Sequence, residues 1–268
     1  VSNSIRVVIA GVAGKMGKET AIAVLNEQPE LQLVGAVDPR EDGADLGEMV
    51  GVPECGIEIC ENLNQFYQTT QADVLVDFTN PQAVLQNAKT ALENGTAPVI
   101  GTTGLDEVGM AELEKLSAKS ERAVLIVPNF ALGAVLMMEF ARSAARYFKN
   151  VEIIELHHDQ KIDAPSGTAI KTADMIQQVR EPFKQGHPDE YEKLTGARGG
   201  ESEGIRIHSV RLPGLIAHQE VIFGAPGQTL TIRHDSMHRQ SFMPGVVLAI
   251  RKIGGLRGVV VGLDKILD

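Results

Sequence analysis

Ile5-Arg-Val-Val-Ile-Ala10-Gly11-Val12-Ala13-Gly14-Lys15-Met16-Gly17 is a nearly unbroken apolar run that ends in three glycines, and apolar residues then recur at helical spacing through Ala21, Val24 and Leu25. A strand that is apolar along its whole length is buried on both faces, the condition of a strand inside a parallel sheet. Glycines at the following turn let backbone approach a pyrophosphate, and the free N–H groups of a helix start favour its negative charge. The spacing departs from G-x-G-x-x-G: the last two glycines keep their separation, and the first lies one position earlier. Asp38 stands 21 residues after Gly17, at the end of the next apolar run, Leu31 to Val37. A carboxylate there can accept hydrogen bonds from ribose hydroxyls. The plainer alternative is a tight turn followed by a turn aspartate before Pro39.

Outward from this stretch the same rhythm repeats. Val74 to Phe78, Val99 to Ile100 and Ala123 to Val127 are short buried-strand candidates, with helices near 82–93, 107–120 and 132–148. Alternation of this kind predicts an α/β unit, a doubly wound parallel sheet joined by crossover helices. Each run ends in a polar or glycine-rich turn: Asp38-Pro39, Thr79-Asn80-Pro81, Gly101-Thr102-Thr103-Gly104 and Pro128-Asn129-Phe130. In an open parallel sheet these turns share the carboxyl edge, where ligands bind. The small residues of Gly101 to Gly104 would admit a nicotinamide ring.

Beyond about residue 130 the pattern changes. A helix near 168–180 precedes a polar loop, Glu181 to Gly204, and three segments, Ile205 to Leu212, Gln219 to Phe223 and Gln228 to His234, alternate apolar and polar residues. Period two marks a sheet with one buried face, so a second, α+β domain with a mixed or antiparallel sheet is expected. A helix near 239–253 and a strand at Val259 to Val261 resume the doubly wound character. The expected division is 1–130, completed by 239–268, and 131–238.

The 268 residues are 43% hydrophobic and 22% charged, ordinary globular usage, so disorder, collagen and coiled coil are poor readings. Lys and Arg number 25 against 35 Asp and Glu, and the net charge of −10 argues against a surface that tracks nucleic-acid phosphates. No apolar run approaches the roughly 18 residues of a membrane span, and Val1-Ser-Asn-Ser lacks the marks of a signal peptide. A cytoplasmic protein without membrane or nucleic-acid partners is the expectation. Cys55 and Cys60 read as reduced thiols, and no metal site is expected.

The densest chemistry lies in Glu155-Leu-His-His-Asp-Gln-Lys161-Ile-Asp-Ala-Pro-Ser166-Gly167-Thr168. His157 and His158 close a strand candidate that begins near Val151, so their roles should differ, because successive residues of a strand point to opposite sides. Lys161 beside a histidine offers a proton donor and a cationic anchor. Ser166 is a natural N-cap for the helix through Ile170, Ala173 and Ile176, and the N–H groups of Gly167 and Thr168 form an anion pocket. Each part has a bland reading: a satisfied histidine pair, a solvated lysine, plain capping. Together within twelve residues they favour a site for a small carboxylate. The other histidines, His187, His208, His218, His234 and His238, carry no comparable neighbourhood in the sequence, and Arg239 reads as a helix-start arginine.

These residues resemble the 4-hydroxy-tetrahydrodipicolinate reductase (dihydrodipicolinate reductase) family of lysine and diaminopimelate biosynthesis. The resemblance spans the chain through Ile9-Ala-Gly11-x-x-Gly14-x-Met16-Gly17, Val76-Asp-Phe-Thr79, Ile100-Gly-Thr-Thr-Gly104, Asn129-Phe130, Glu155 to Thr168 and Gly262-Leu-Asp-Lys-Ile-Leu267. It implies a Rossmann-like domain completed by the C-terminal tail and an inserted mixed-sheet domain that binds substrate and forms a homotetramer. It implies NADH or NADPH as cofactor, and hydride transfer to a small cyclic dicarboxylate with loss of water. By motif match His157 corresponds to the family's proton donor or acceptor and Lys161 to its proton donor. His158, Ser166, Gly167 and Thr168 correspond to substrate contacts. Gly11, Val12, Ala13, Gly14, Lys15, Met16, Gly17, Asp38, Gly101, Thr102, Thr103, Pro128, Asn129, Phe130 and Ala131 correspond to the nucleotide site. Some members carry arginine directly after the ribose-binding acid; here Pro39 stands there and Arg40 follows, and Lys15 replaces another arginine, a pattern that leans toward NADH. Closure of the two domains over the substrate is also implied. The alternatives are another two-domain NAD(P) dehydrogenase and a sensor that holds the nucleotide without turnover.

Overall fold

The computed structural model describes residues 4–267. In chain order the elements are β1 (Ile5–Ala10), α1 (Lys15–Asn26), β2 (Leu31–Val37), α2 (Leu46–Val50), β3 (Ile59–Cys60), α3 (Leu63–Thr69), β4 (Val74–Asp77), α4 (Val84–Glu93), β5 (Ala97–Ile100), α5 (Glu107–Ser120) and β6 (Val124–Ile126). There follow α6 (Leu132–Ala144), β7 (Asn150–His157), α7 (Gly167–Gln177), β8 (Gly200–Ser202), β9 (Ile205–Arg211), β10 (Ala217–Ala225), β11 (Gln228–Ser236), α8 (Met243–Lys252) and β12 (Val259–Val261). The chain forms two compact units, one comprising the chain up to Phe130 together with the segment from Phe242 onward, the other Ala131–Ser241.

The first unit is a seven-stranded parallel sheet in the order β12-β6-β5-β4-β1-β2-β3. Val7, Val8, Ile9 and Ala10 are fully buried, as a strand inside such a sheet requires. One apolar cluster joins Val8, Val37, Leu75 and Ala91 with Leu63 and Phe66 of α3; another joins Ile100, Val124 and Ile126 with Val84, Leu92 and Leu113. Side chains cap the helix starts: Asp45 before α2, Asn62 before α3 and Asp106 before α5 each accept from backbone N–H groups of the first turn. The sequence reading assigned no element between residues 46 and 69. The reason is length: α2 has five residues, β3 two and α3 seven, too short for apolar periodicity to show.

The second unit is a five-stranded mixed sheet in the order β11-β10-β7-β9-β8, in which only β7 and β9 run parallel. Helices α6 and α7 pack on each other and on this sheet, α6 against β10 and β11 and α7 against β7. Val151, Ile153 and Glu155 alternate with half-buried Glu152, Ile154 and Leu156 along β7, so one face is covered and the other is not. Helix α6 ends at Ala144 and α7 at Gln177, each three to four residues short of the expected helix. The helix expected from 239 begins as a 3₁₀ turn, Arg239–Phe242, and becomes α-helical at Met243, with Pro244 in its first turn. Among the described residues no helix is long and apolar enough to cross a membrane.

Candidate functional site

In the seven-stranded sheet the chain order reverses between β1 and β4, the position at which open α/β sheets bind ligands beyond their carboxyl ends. The turns after these two strands close on each other. Gly11 has φ +80, and a Cβ there would run into the carbonyl of Phe78. A Cβ on Gly17 would run into the Gly11 carbonyl and the Val12 backbone. The unusual glycine spacing therefore serves two contacts at once, loop on loop and helix on loop. A cavity of about 770 Å³ opens here, lined by Gly11, Gly14, Asp38, Arg40, Asn80 and Asn87 among others.

Asp38 sits at this cavity with only 2% of its surface exposed. It accepts from the Ala13 N–H at 3.1 Å and from Arg40 Nε and Nη2, each at 2.8 Å. The Arg40 guanidinium holds the carboxyl below its ordinary range against the opposing effect of burial. The sequence reading treated Asp38 as an acceptor waiting for ribose and gave Arg40 no contact; the structure places Arg40 on that acceptor. Val12 is fully buried and its N–H donates to the Val37 carbonyl, whereas Lys15 is exposed and Met16 half-buried.

Asp77, at the end of β4, is 1% exposed and organises the neighbouring turns. It accepts from Thr79 N and Oγ1, from Asn87 Nδ2 at 2.8 Å and from Thr102 Oγ1 at 2.8 Å. The Thr102 side chain thus turns inward, while Thr103 stays exposed beside it. Phe130 is buried edge-on against Phe78, with ring centroids 5.5 Å apart, and Pro128 just before it is exposed. Asn129 is half-buried, and Ala131, at the start of the second unit, is buried.

In the second unit β7 ends at His157, which separates the two histidines as expected of a finishing strand: His157 is held against the sheet and His158 is exposed in the turn that follows. His157 Nδ1 lies 2.5 Å from a carboxylate oxygen of Glu155, a residue with no exposed surface. Burial pushes the imidazole down; Glu155 opposes this and Lys161 and Arg211 add to it, so His157 titrates below its ordinary value. Lys161 Nζ pairs with Asp163 at 2.7 Å. Ser166 is buried and caps α7, accepting from the Ala169 N–H at 3.2 Å, and Gly167 and Thr168 form the first turn of that helix. The structure brings His157, Lys161, Ser166, Gly167 and Thr168 into one strand–loop–helix segment.

Sequence reasoning missed Glu155, Arg211, Asp77 and Arg40 as organising groups. Glu155 carried a signal: a charged residue in phase with Val151 and Ile153 on the apolar face of a strand has to be paired. Two of the histidines set aside also prove to have partners. His208 meets Glu152 at 2.8 Å beside Arg198, and His218 meets Asp235 at 2.7 Å beside Arg233. Their carboxylates lie on other strands, so local sequence could not reveal them.

Two family models cover nearly the whole chain, described as dihydrodipicolinate reductase N-terminus over residues 5–130 and C-terminus over residues 133–267. The 4-hydroxy-tetrahydrodipicolinate reductase of Desulfitobacterium hafniense (strain DSM 10664 / DCB-2) is 56% identical over 265 residues, covering 98% of this chain and 99% of that protein. The enzyme of the same name from Bacillus subtilis (strain 168) is 52% identical over 267 residues, covering 100% and 99%. The solved structure of a dipicolinate-bound dihydrodipicolinate reductase from Paenisporosarcina sp. TG-14 superposes with a TM-score of 0.89 at 48% identity, over 99% of this chain and 100% of that one. Identity of this order along both units, together with a shared fold, means that the chain belongs to the dihydrodipicolinate reductase family.

Proposed function

We propose that this chain reduces 4-hydroxy-tetrahydrodipicolinate with NADH or NADPH, the first unit holding the nucleotide and the segment from His157 to Thr168 holding and protonating a cyclic dicarboxylate. The observation that carries the reading is the second segment: a buried-acid-bound histidine, a lysine on the next loop and a serine-capped helix start, in a chain whose net charge of −10 otherwise repels dianions. The dipicolinate in the Paenisporosarcina structure is a ligand of that chemical class.

The first unit fits a dinucleotide on its own geometry. The cavity beyond the β1 turn is lined by Gly11 and Gly14, and the N–H groups of Lys15 and Met16 open α1, where a pyrophosphate is favoured. The nucleotide, when bound, supplies the hydride. The protein's own residues do the rest: Gly101 admits the rings of Phe78 and Phe130 against the β5 turn, Thr103 is exposed on it, and Asp77 fixes that turn through Thr102. Lys161 delivers a proton and balances charge on the substrate ring, His157 assists the proton step, and His158, Ser166, Gly167 and Thr168 hold the carboxylates.

Asp38 and Arg40 support the use of both nucleotides, the acid facing a ribose diol and the guanidinium a 2′-phosphate. Arg40 is 65% exposed, so its pair with Asp38 is worth at most about 1 kcal/mol. Arg40→Ala is expected to raise the KM for NADPH by about fivefold and to lower or leave unchanged that for NADH, read from parallel steady-state assays. An equal change for both nucleotides would remove Arg40 from cofactor choice.

A cytoplasmic homotetramer completes the reading. The uncovered face of the mixed sheet presents Ile154, Leu156, Val210 and Ile222, half-buried apolar residues that a second copy would cover. Ile154→Lys puts an ammonium into that face and is expected to reduce the sedimenting mass in velocity ultracentrifugation; an unchanged assembly would exclude this face.

The function is tested by the disappearance of reduced nicotinamide on adding substrate, run with both nucleotides. Nucleotide binding without substrate-dependent oxidation would assign the chain to a sensing role instead.

A further inference from the structure

The face of β7 that packs under α7 carries Val151, Ile153 and then a carboxylate, Glu155, that has no exposed surface. An ionised carboxyl is held in such a place only by donors that replace its water. Arg211, Ser166 and His157 reach it from three parts of the chain, and the Ser209 side chain adds a further bond. Oε1 accepts from Arg211 Nη2 at 2.8 Å and from the Ser166 N–H at 3.3 Å; Oε2 accepts from Arg211 Nη1 at 2.9 Å and lies 2.5 Å from His157 Nδ1. Arg211 is the β9 residue paired in register with His157, and it also donates to the Asp163 carbonyl at 2.8 Å. One ion pair therefore grips the histidine, the loop that carries Lys161 and the residue that caps α7.

We propose that Glu155 is a positioning residue for the reaction, fixing His157 as the tautomer with its hydrogen on Nδ1 and its lone pair on Nε2, while Arg211 neutralises the carboxylate so that the imidazole rests uncharged. The inference deepens the functional reading above and rests on it for the role of His157. An ionised carboxylate can only accept, so the nitrogen facing it must carry hydrogen, and Nε2 is left as the acceptor. Glu155 is ionised: burial pushes its carboxyl up, but the bonds from Arg211, Ser209 and His157 outweigh this and hold it below its ordinary range. Because Arg211 already matches its charge, the buried acid does not force a proton onto the ring.

Glu155→Gln replaces one oxygen by an NH₂ group at nearly constant shape. The Ser166 backbone N–H cannot reverse its role, so the amide oxygen stays with Ser166 and Arg211 Nη2. The NH₂ group then loses the Arg211 Nη1 bond, since a guanidinium only donates, and faces His157, whose Nδ1 must become an acceptor and whose hydrogen moves to Nε2. Nε2 then meets the substrate as a donor in place of an acceptor, and kcat is expected to fall about 100-fold with KM within a few-fold, the lower end of what a general acid or base contributes. Removing the anion also moves the His157 limb of the kcat/KM profile to lower pH. Arg211→Met leaves the anion unmatched and moves the same limb to higher pH. Opposite shifts distinguish positioning from a merely structural role.

The deciding measurement is the tautomer, read by long-range ¹H–¹⁵N correlation on the full chain with ¹⁵N-labelled histidine, the His157 signals being those missing from His157→Gln. The expected result is a neutral wild-type ring protonated on Nδ1, and a ring protonated on Nε2 in Glu155→Gln. A wild-type ring carrying hydrogen on Nε2 overturns the proposal even if neither variant folds. So does a Glu155→Gln enzyme with wild-type turnover, or one that loses turnover while tautomer and pH limbs stay in place. The tautomer is read without turnover, so failure of the proposed activity and failure of this inference remain separate results.

Discussion

Lys161→Ala is expected to lower kcat by about 10²- to 10⁴-fold, the range that a positioned general acid contributes. The side chain is 21% exposed, on the loop between His157 and the Ser166 cap, and its ammonium pairs with Asp163, itself 62% exposed. A pair of that exposure is screened by water and adds little to stability, so the variant is expected to fold with a melting temperature within a few degrees of the parent. In the role proposed for it, the ammonium is both a proton source and a charge that balances the substrate ring. The fall in kcat should therefore exceed any rise in KM, because charge that develops during reaction is stabilised more than charge already present. Steady-state kinetics with saturating nucleotide measure both. A folded variant with near-parent turnover would take Lys161 out of the mechanism.

Gly17→Ala acts on the other half of the reaction and through packing alone. The added Cβ meets the Gly11 carbonyl and the Val12 backbone, neither of which can rotate away. Helix α1 has to lift from the turn, and overpacking of this kind costs about 1–3 kcal/mol. The same shift displaces the start of α1, and with it the Lys15 and Met16 N–H groups, from a bound pyrophosphate. The expected outcome is a melting temperature lower by several degrees and a nucleotide Kd raised tenfold or more, measured by calorimetric titration. Gly43, where a Cβ would meet nothing within 4 Å, lies in the same unit but has φ +82, so Gly43→Ala carries backbone strain without the close contact. Its nucleotide affinity should stay at the parent value, which separates crowding at the cradle from general destabilisation. Unchanged affinity in Gly17→Ala would mean that another part of the sheet edge binds the phosphates.

Much of the architecture was legible because burial leaves a local trace. The runs Ile5 to Ala10 and Leu31 to Val37 are apolar without alternation and lie inside the parallel sheet; Ile205 to Arg211 alternates and lies in the sheet with one uncovered face. Ser166 could be named as a cap from its position before a helical repeat, and it accepts the bond expected of one. The elements that escaped, α2, β3 and α3, span too few residues to repeat a period. Family resemblance was visible in the same turns, since glycines at close approaches and polar residues at strand ends are identified by type alone.

The sequence by itself determined the fold class, the polar and glycine-rich turns at the strand ends and the strand–loop–helix order of the segment from His157 to Thr168, because each depends on spacing along the chain. Only the tertiary structure decided that Arg211, 56 residues from Glu155, neutralises it, that Asp77 collects Thr79, Asn87 and Thr102, and that Arg40 folds back onto Asp38. A buried charge demands partners, and the demand can be read from one residue. Who meets it depends on strand register and on which loops lie alongside, which is settled only when the sheets are assembled.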